Sequence, residues 1–203
     1  MTNLGASNLH TYFHVDMAGR LKPGMKFDLP RGQHSKFGST YWAKFRRLGI
    51  DSIPSLQDVP DASNRLDESA YRELWLEIFR TDHPELRSVP TLSRLNAFFA
   101  VESLDDARLY ASRSQFRGRA SIYEIYSTRP GTKHDMTWLD QQFPRDFRQF
   151  GYYYLHYWKG LKIEEDSHLS GHEKRRSLME VLLGSTIAVG PAVATVTVPA
   201  AAV

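Results

Sequence analysis

Glu180 is the side chain in this sequence whose setting most demands a chemical explanation. It sits in Ser177-Leu178-Met179-Glu180-Val181-Leu182-Leu183-Gly184, where one carboxylate opens an apolar run that reads as a short buried strand. A charge there is costly unless it is paired or used. Taken alone, such a carboxylate is more often structural, hydrogen-bonded to a loop at the wet end of its strand. Two other segments shift that balance. Tyr12-Phe13-His14-Val15-Asp16 places an imidazole on an aromatic-rich strand. Ser103-Leu104-Asp105-Asp106-Ala107-Arg108-Leu109-Tyr110-Ala111 places Tyr110 in the last turns of a short helix. A carboxylate, an imidazole and a phenol brought together can stabilise developing charge and orient a ligand.

Two other chemistries are suggested by spacing. His10-x-x-x-His14 and His168-x-x-x-His172 have ligand-like intervals, but the first pair falls on an expected strand and the second in an expected loop. Neither has the helical context of a zinc motif, so no metal is expected. Arg113, Arg117 and Arg119 with Phe116, and Arg145 and Arg148 with Tyr152 to Trp158, interleave basic and aromatic residues. Backbone-plus-stacking surfaces for nucleic acid look like this, which makes a non-enzymatic basic nucleic-acid-binding module the alternative to an enzyme.

Composition sets the limits. The chain has 203 residues, 41% of them hydrophobic, enough for one domain with a real core. A formal charge of +3 permits an anionic partner without demanding one. Cysteine is absent, which excludes disulfides, thiol nucleophiles and cysteine-based zinc sites, and fits a cytoplasmic location. Met1 to Leu9 lacks a basic patch followed by an apolar core, so no signal peptide is expected, and no apolar run reaches the length of a membrane span.

The elements that must position these residues follow from periodicity. Leu9–Val15 reads as a first strand. Pro30–Thr40 reads as a loop, and Tyr41–Ile50 as an amphipathic helix with Trp42, Phe45 and Leu48 inward. Leu66–Arg80 is a longer helix whose stripe is Leu66, Ala70, Tyr71, Leu74, Trp75, Ile78 and Phe79, with Glu and Arg opposite. Leu95–Val101 reads as a buried strand running into a helix from Ser103 to Ser112, its start fixed by Ser103 as N-cap and Asp106 three residues on. Ala120–Tyr126 is a strand. Pro144 begins a helix that presents Phe147, Gly151, Tyr154, Leu155 and Trp158. Lys162–Arg176 is a charged, glycine-containing mobile loop. Glu180–Leu183, Ile187–Val189 and Val193–Val198 close the fold, with an Ala/Val/Pro-rich end that frays, so that residues 10–198 are the ordered part. Strands and helices mingle without regular alternation, giving an α+β class and one domain over 1–203.

In this order, the strand with His14, the apolar strand leading into Ala107-x-x-Tyr110-Ala111, and the late strand with Glu180-Val181-Leu182 resemble the ADP-ribosyltransferase superfamily. The similarity is to its His-Tyr-Glu branch, shared by diphtheria-like toxins and poly-ADP-ribose polymerases, and it spans Tyr12 to Val189. The block from Phe98 to Ala111 is also similar to that of small rifampin-modifying transferases. The resemblance implies a split antiparallel β-sheet core with flanking helices and an NAD-dependent transfer of ADP-ribose to a macromolecular acceptor, protein or nucleic acid. NAD serves as substrate and no metal is needed. It implies Glu180 as the catalytic carboxylate, His14 on the adenosine ribose, Tyr110 stacked on nicotinamide, and Lys162–Leu178 as the target-facing loop. Tyr123 is the candidate second aromatic, and His10 remains an alternative to His14. Bacterial members commonly act as toxins or phage-conflict effectors, which adds an antitoxin or inhibitor protein to the expected partners. Leu178 stands where arginine-modifying members carry an acidic or amide residue, so an arginine acceptor is not expected.

Overall fold

The computed structural model describes residues 9–29, 33–114, 116–140 and 147–198, with only the backbone described for 147–149. Seven strands form one open antiparallel sheet: β1 (His10–Asp16), β2 (Lys26–Phe27), β3 (Phe98–Val101), β4 (Gly118–Ser127), β5 (Thr132–Asp135), β6 (Met179–Leu183) and β7 (Ile187–Val198). Their order is β2-β7-β4-β1-β3-β6-β5. Among the described residues, four helices, α1 (Lys36–Arg46), α2 (Glu68–Asp82), α3 (Leu104–Arg113) and α4 (Phe147–Trp158), complete an α+β architecture. The strand carrying His14, the strand leading to Tyr110 and the strand carrying Glu180 are therefore neighbours: β1, β3 and β6.

Register decides which side chains share a face. Phe13 lies opposite Val101, and Val101 opposite Glu180. Because partners across a ladder point the same way, these three form a row on one face. That face packs against helices. α1, α2 and α4 cover the end with Leu182, burying Trp138 and Trp158, while Ala107 and Ala111 of α3 cover Val15 and Ile122. The other face holds Tyr12, Ala100, Ile125 and Val181, covered by Leu21, Met25 and Phe27. Burying an aromatic ring of the size of Trp138 or Trp158 is worth about 3 kcal/mol or more in apolar transfer.

Local chemistry explains where the elements differ from expectation. α1 begins at Lys36, inside the segment expected to be a loop. Ser35 caps it by accepting from Gly38 N–H, and Gly38 is needed because a Cβ there would lie 1.8 Å from the Leu95 carbonyl oxygen. The glycine that reads as a loop signal serves close packing instead. Asp67 caps α2 through Ala70 N–H. Contrary to the expected wet Glu/Arg face, Glu73 and Glu77 are buried with Leu74 and Ile78. Residues 94–96 form a 3-10 turn, so β3 is shorter than the strand expected over 95–101. Ser103 caps α3 as the sequence predicts, accepting from Asp106 N–H at 3.0 Å.

The closing strands expected over 187–189 and 193–198 are one, β7, carrying Pro191 where its register against β4 shifts between Ile122 and Ile125. β2 pairs only with Ile187 and Ala188, so no ladder partner on that side needs the N–H that proline lacks. β5 and β2 were not foreseen. Pro144, Arg145 and the expected fraying end from Pro199 lie outside the described residues.

Candidate functional site

β1 and β3 are paired at a single position, Phe13 opposite Val101. Where they part, a cavity of about 280 Å³ lies on the helix-covered face. Its walls include Phe13, Phe99 and Val101 from the sheet, Phe37 from α1 and Met136. The polar residues on its wall are His14, Arg72, Arg94, Tyr110 and Glu180. His14, Tyr110 and Glu180, singled out from three distant segments, thus meet at one cavity.

Glu180 is 5% exposed. Its Oε1 accepts from the guanidinium of Arg94 and from the Tyr157 hydroxyl at 2.5 Å. Arg94 in turn donates from Nη1 to the Tyr157 oxygen at 2.7 Å and from Nε to Glu73 Oε2 at 2.8 Å. Its backbone N–H donates to Glu77 Oε1 at 3.0 Å, and Glu77 also binds Arg80. The guanidinium packs on the ring of Phe99 at 4.9 Å. Burial pushes the Glu180 carboxyl upward, against the pull of Arg94 and Tyr157 toward the ionised form. Burial alone would lower Arg94, but Glu180 and Glu73 outweigh it and hold the guanidinium charged well above its ordinary value. One buried cation thus bridges two buried carboxylates, the condition under which such charges persist in a core.

Tyr110 reaches the cavity from α3. Burial, then the negative charge of Glu180, raises its phenol above the usual value, so it stays a neutral hydroxyl. His14 sits where β1 and β3 separate. Its register partner is Tyr123, which places both on the face opposite Glu180. The His14 ring lies 4.7 Å from that of Phe98, and its Nδ1–H donates to the Phe99 carbonyl at 2.8 Å. A carbonyl only accepts, so the neutral ring carries its lone pair on Nε2. Burial lowers this imidazole, with Phe99 and Asp16 opposing.

Tyr123 is not on the cavity wall; it packs on the other face with Tyr12 and Ala100. Its position on β4, paired with His14 of β1, carries its side chain there, and the aromatic rings at the cavity belong to Phe13, Phe37, Phe99 and Tyr110. His10, at the first position of β1, is not on the wall either.

The segment before β6 is tied down at both ends rather than loose throughout. Asp135 Oδ2 accepts from Ile163 N–H and Oδ1 from Leu178 N–H, and Arg113 donates to the Arg176 carbonyl at 2.7 Å. Leu178 is fully buried in the apolar cluster under α3. Arg113 also binds Thr137, and Arg117 bonds the carbonyls of Ser114 and Phe116. Two arginines of the expected basic stretch are therefore engaged within the protein.

Arg94, Tyr157, Glu73 and Arg72 were not singled out from the sequence. A signal did exist: Ala70, Glu73, Leu74, Glu77 and Ile78 fall at the spacing of a single helical stripe, and two carboxylates on an inward stripe call for a buried cation.

No protein-family model matches the chain, and no curated protein matches it. Among the described residues, no helix is long and apolar enough to cross a membrane.

Proposed function

We propose that the protein is an NAD-dependent mono-ADP-ribosyltransferase, built on an ADP-ribosyltransferase-like split sheet, that cleaves the nicotinamide–ribose bond and passes ADP-ribose to a protein or nucleic-acid acceptor. The observation that carries this is Glu180: a buried carboxylate on a cavity wall with one oxygen held by Arg94 and Tyr157. The single pair joining β1 to β3 fits a sheet split at the ligand site. The cavity's size suits the nicotinamide–ribose end of the dinucleotide rather than the whole molecule.

In this reaction the C–N glycosidic bond breaks and its electron pair leaves with nicotinamide, which departs neutral. The ribose carbon takes on oxocarbenium character, as in glycoside cleavage. The fixed charge of Glu180 is worth most when that cation is fully developed, so it lowers the barrier rather than merely adding affinity. Tyr110 stacks on nicotinamide, and His14 orients the adenosine ribose from the strand gap. The acceptor then bonds to the ribose carbon and gives up a proton. Leu178 offers no polar group to orient a guanidinium, so free arginine is not an acceptor.

The test is to incubate the pure protein, with and without cell lysate, with NAD labelled in its adenylate half. Nicotinamide release should be seen, with label entering protein, RNA or DNA, and both should be lost in Glu180→Gln. Intact NAD after incubation with lysate removes the proposal.

A further inference from the structure

Glu180 does not hold its own position. It sits near the start of β6, and both of its recorded side-chain bonds fall on one oxygen, Oε1. Among the described residues no hydrogen bond falls on Oε2, and Oε2 is not one of the buried atoms left without a partner. An oxygen that is neither bonded nor sealed off, on a residue of the cavity wall, is open to a ligand.

The two donors are themselves fixed. Arg94 is locked by Glu77 at its backbone and by Glu73 at Nε, with its guanidinium against the Phe99 and Tyr157 rings at 4.9 and 5.4 Å. Glu73 takes up part of the Arg94 charge, so the guanidinium orients Glu180 without cancelling it. Tyr157 is fully buried on α4, and its backbone carbonyl accepts from His134 Nδ1–H at 3.0 Å. His134 is the register partner of Glu180 on β5.

We propose that Arg94 and Tyr157 are positioning residues for Glu180, holding Oε1 between a guanidinium and a phenol so that Oε2 alone is presented to the ligand. The proposal rests on Glu180 being the reactive carboxylate, and it extends that assignment to two residues from a turn and a helix remote in sequence. Among the described residues, the charged and titratable groups around Glu180 are Arg94 from the turn before β3, Tyr157 from α4, Glu73 and Arg72 from α2, Tyr110 from α3 and His134 from β5. Of these, Arg94 and Tyr157 bond it.

The test uses Tyr157→Phe, which keeps the ring and removes the hydroxyl, and Arg94→Lys, which keeps the charge and loses the planar fork. The first readout needs no activity: a carbon-13 NMR titration of the Glu180 carboxyl, assigned by its absence in Glu180→Gln. Each substitution should raise its ionisation midpoint by about one to two pH units, the worth of a hydrogen bond to a charged group. The second readout is nicotinamide release. Its kcat should fall roughly 100-fold with KM for NAD changed little, the mark of a misplaced reacting group, and its acid limb should move with the NMR midpoint.

A structural role alone would lower the unfolding midpoint and leave the Glu180 titration where it was, which overturns the proposal. Unchanged kcat in a variant whose titration has moved overturns it as well. If Arg94→Lys does not fold, Tyr157→Phe decides. If the wild-type protein releases no nicotinamide, the transferase assignment falls, and the NMR titration still decides whether these two residues govern Glu180.

Discussion

Asp135 and Glu180 are carboxylates on adjacent strands, 0% and 5% exposed, and they are held in opposite ways. Asp135 spends both oxygens on the backbone: Oδ1 accepts from Thr137 and Leu178 at 2.9 and 3.0 Å, and Oδ2 from Ile163 at 2.8 Å. It fastens the segment before β6 to the end of β5, and neither oxygen is left for a ligand. Glu180 has one oxygen doubly bonded by side chains and the other unbonded among the described residues. If Glu180 is the reactive carboxylate, what separates it from Asp135 is not burial but what remains unsatisfied after the protein has made its own bonds.

The comparison can be broken in order of expected effect. Arg94→Met should be the most damaging to stability, because it leaves Glu73 and Glu180 facing each other without their shared cation. A loss of about 3–5 kcal/mol is expected in urea unfolding, and a loss below about 1 kcal/mol would mean the triad is not what holds these carboxylates. Asp135→Ala should cost about 3 kcal/mol, since it strands the N–H groups of Thr137 and Ile163 in the interior and leaves that of Leu178 with Thr137 Oγ1 alone. The protein that remains folded should release nicotinamide within a few-fold of wild type. A selective loss of turnover there would erase the distinction between the two carboxylates.

His134 sharpens the comparison through pH. It is buried on β5 against α4, and desolvation lowers its pKa from 6.5 to about 4. Both nitrogens have partners, the Tyr157 carbonyl and Thr132. A histidine depressed in the folded state is more readily protonated in the unfolded chain, so its contribution is present above pH 6.5 and lost as pH falls toward 4. Roughly 2–3 kcal/mol should disappear over that window, and His134→Gln should flatten this part of the stability profile. A variant as acid-sensitive as wild type would place the effect elsewhere. The smallest change is expected at the exposed Lys133–Glu102 pair, with side chains 52% and 42% exposed. Lys133→Ala should alter the unfolding free energy in urea by less than about 1 kcal/mol.

Periodicity and caps made much of the architecture legible. The Ser103 cap, the aromatic first strand and the apolar run after Glu180 each encode their structure within a few residues. Arg94 was hidden because its partners are remote: Glu73 is 21 residues away and Glu180 is 86, and nothing in Leu92-Ser93-Arg94-Leu95 sets it apart from a surface arginine. Glu73 and Glu77 were read as wet because an acidic residue on a helix usually is. Gly38 was read as a loop residue because close backbone contact and chain flexibility select the same amino acid. His14 and Glu180 could be picked out individually, but their faces could not. That they begin on opposite sides of the sheet depends on the register linking Phe13, Val101 and Glu180, which arises only when β1, β3 and β6 pair.

The most direct test of the central claim is to measure nicotinamide release and urea unfolding on the same preparation of Glu180→Gln. If Glu180 works on the transition state, kcat should fall by roughly 1,000-fold, a barrier change of about 4 kcal/mol, with KM for NAD little altered. The unfolding free energy should stay within about 1 kcal/mol of wild type, because Arg94 keeps Glu73 as its partner. Near wild-type release, or a loss of activity that only tracks a loss of fold, would show that Glu180 is a structural carboxylate like Asp135.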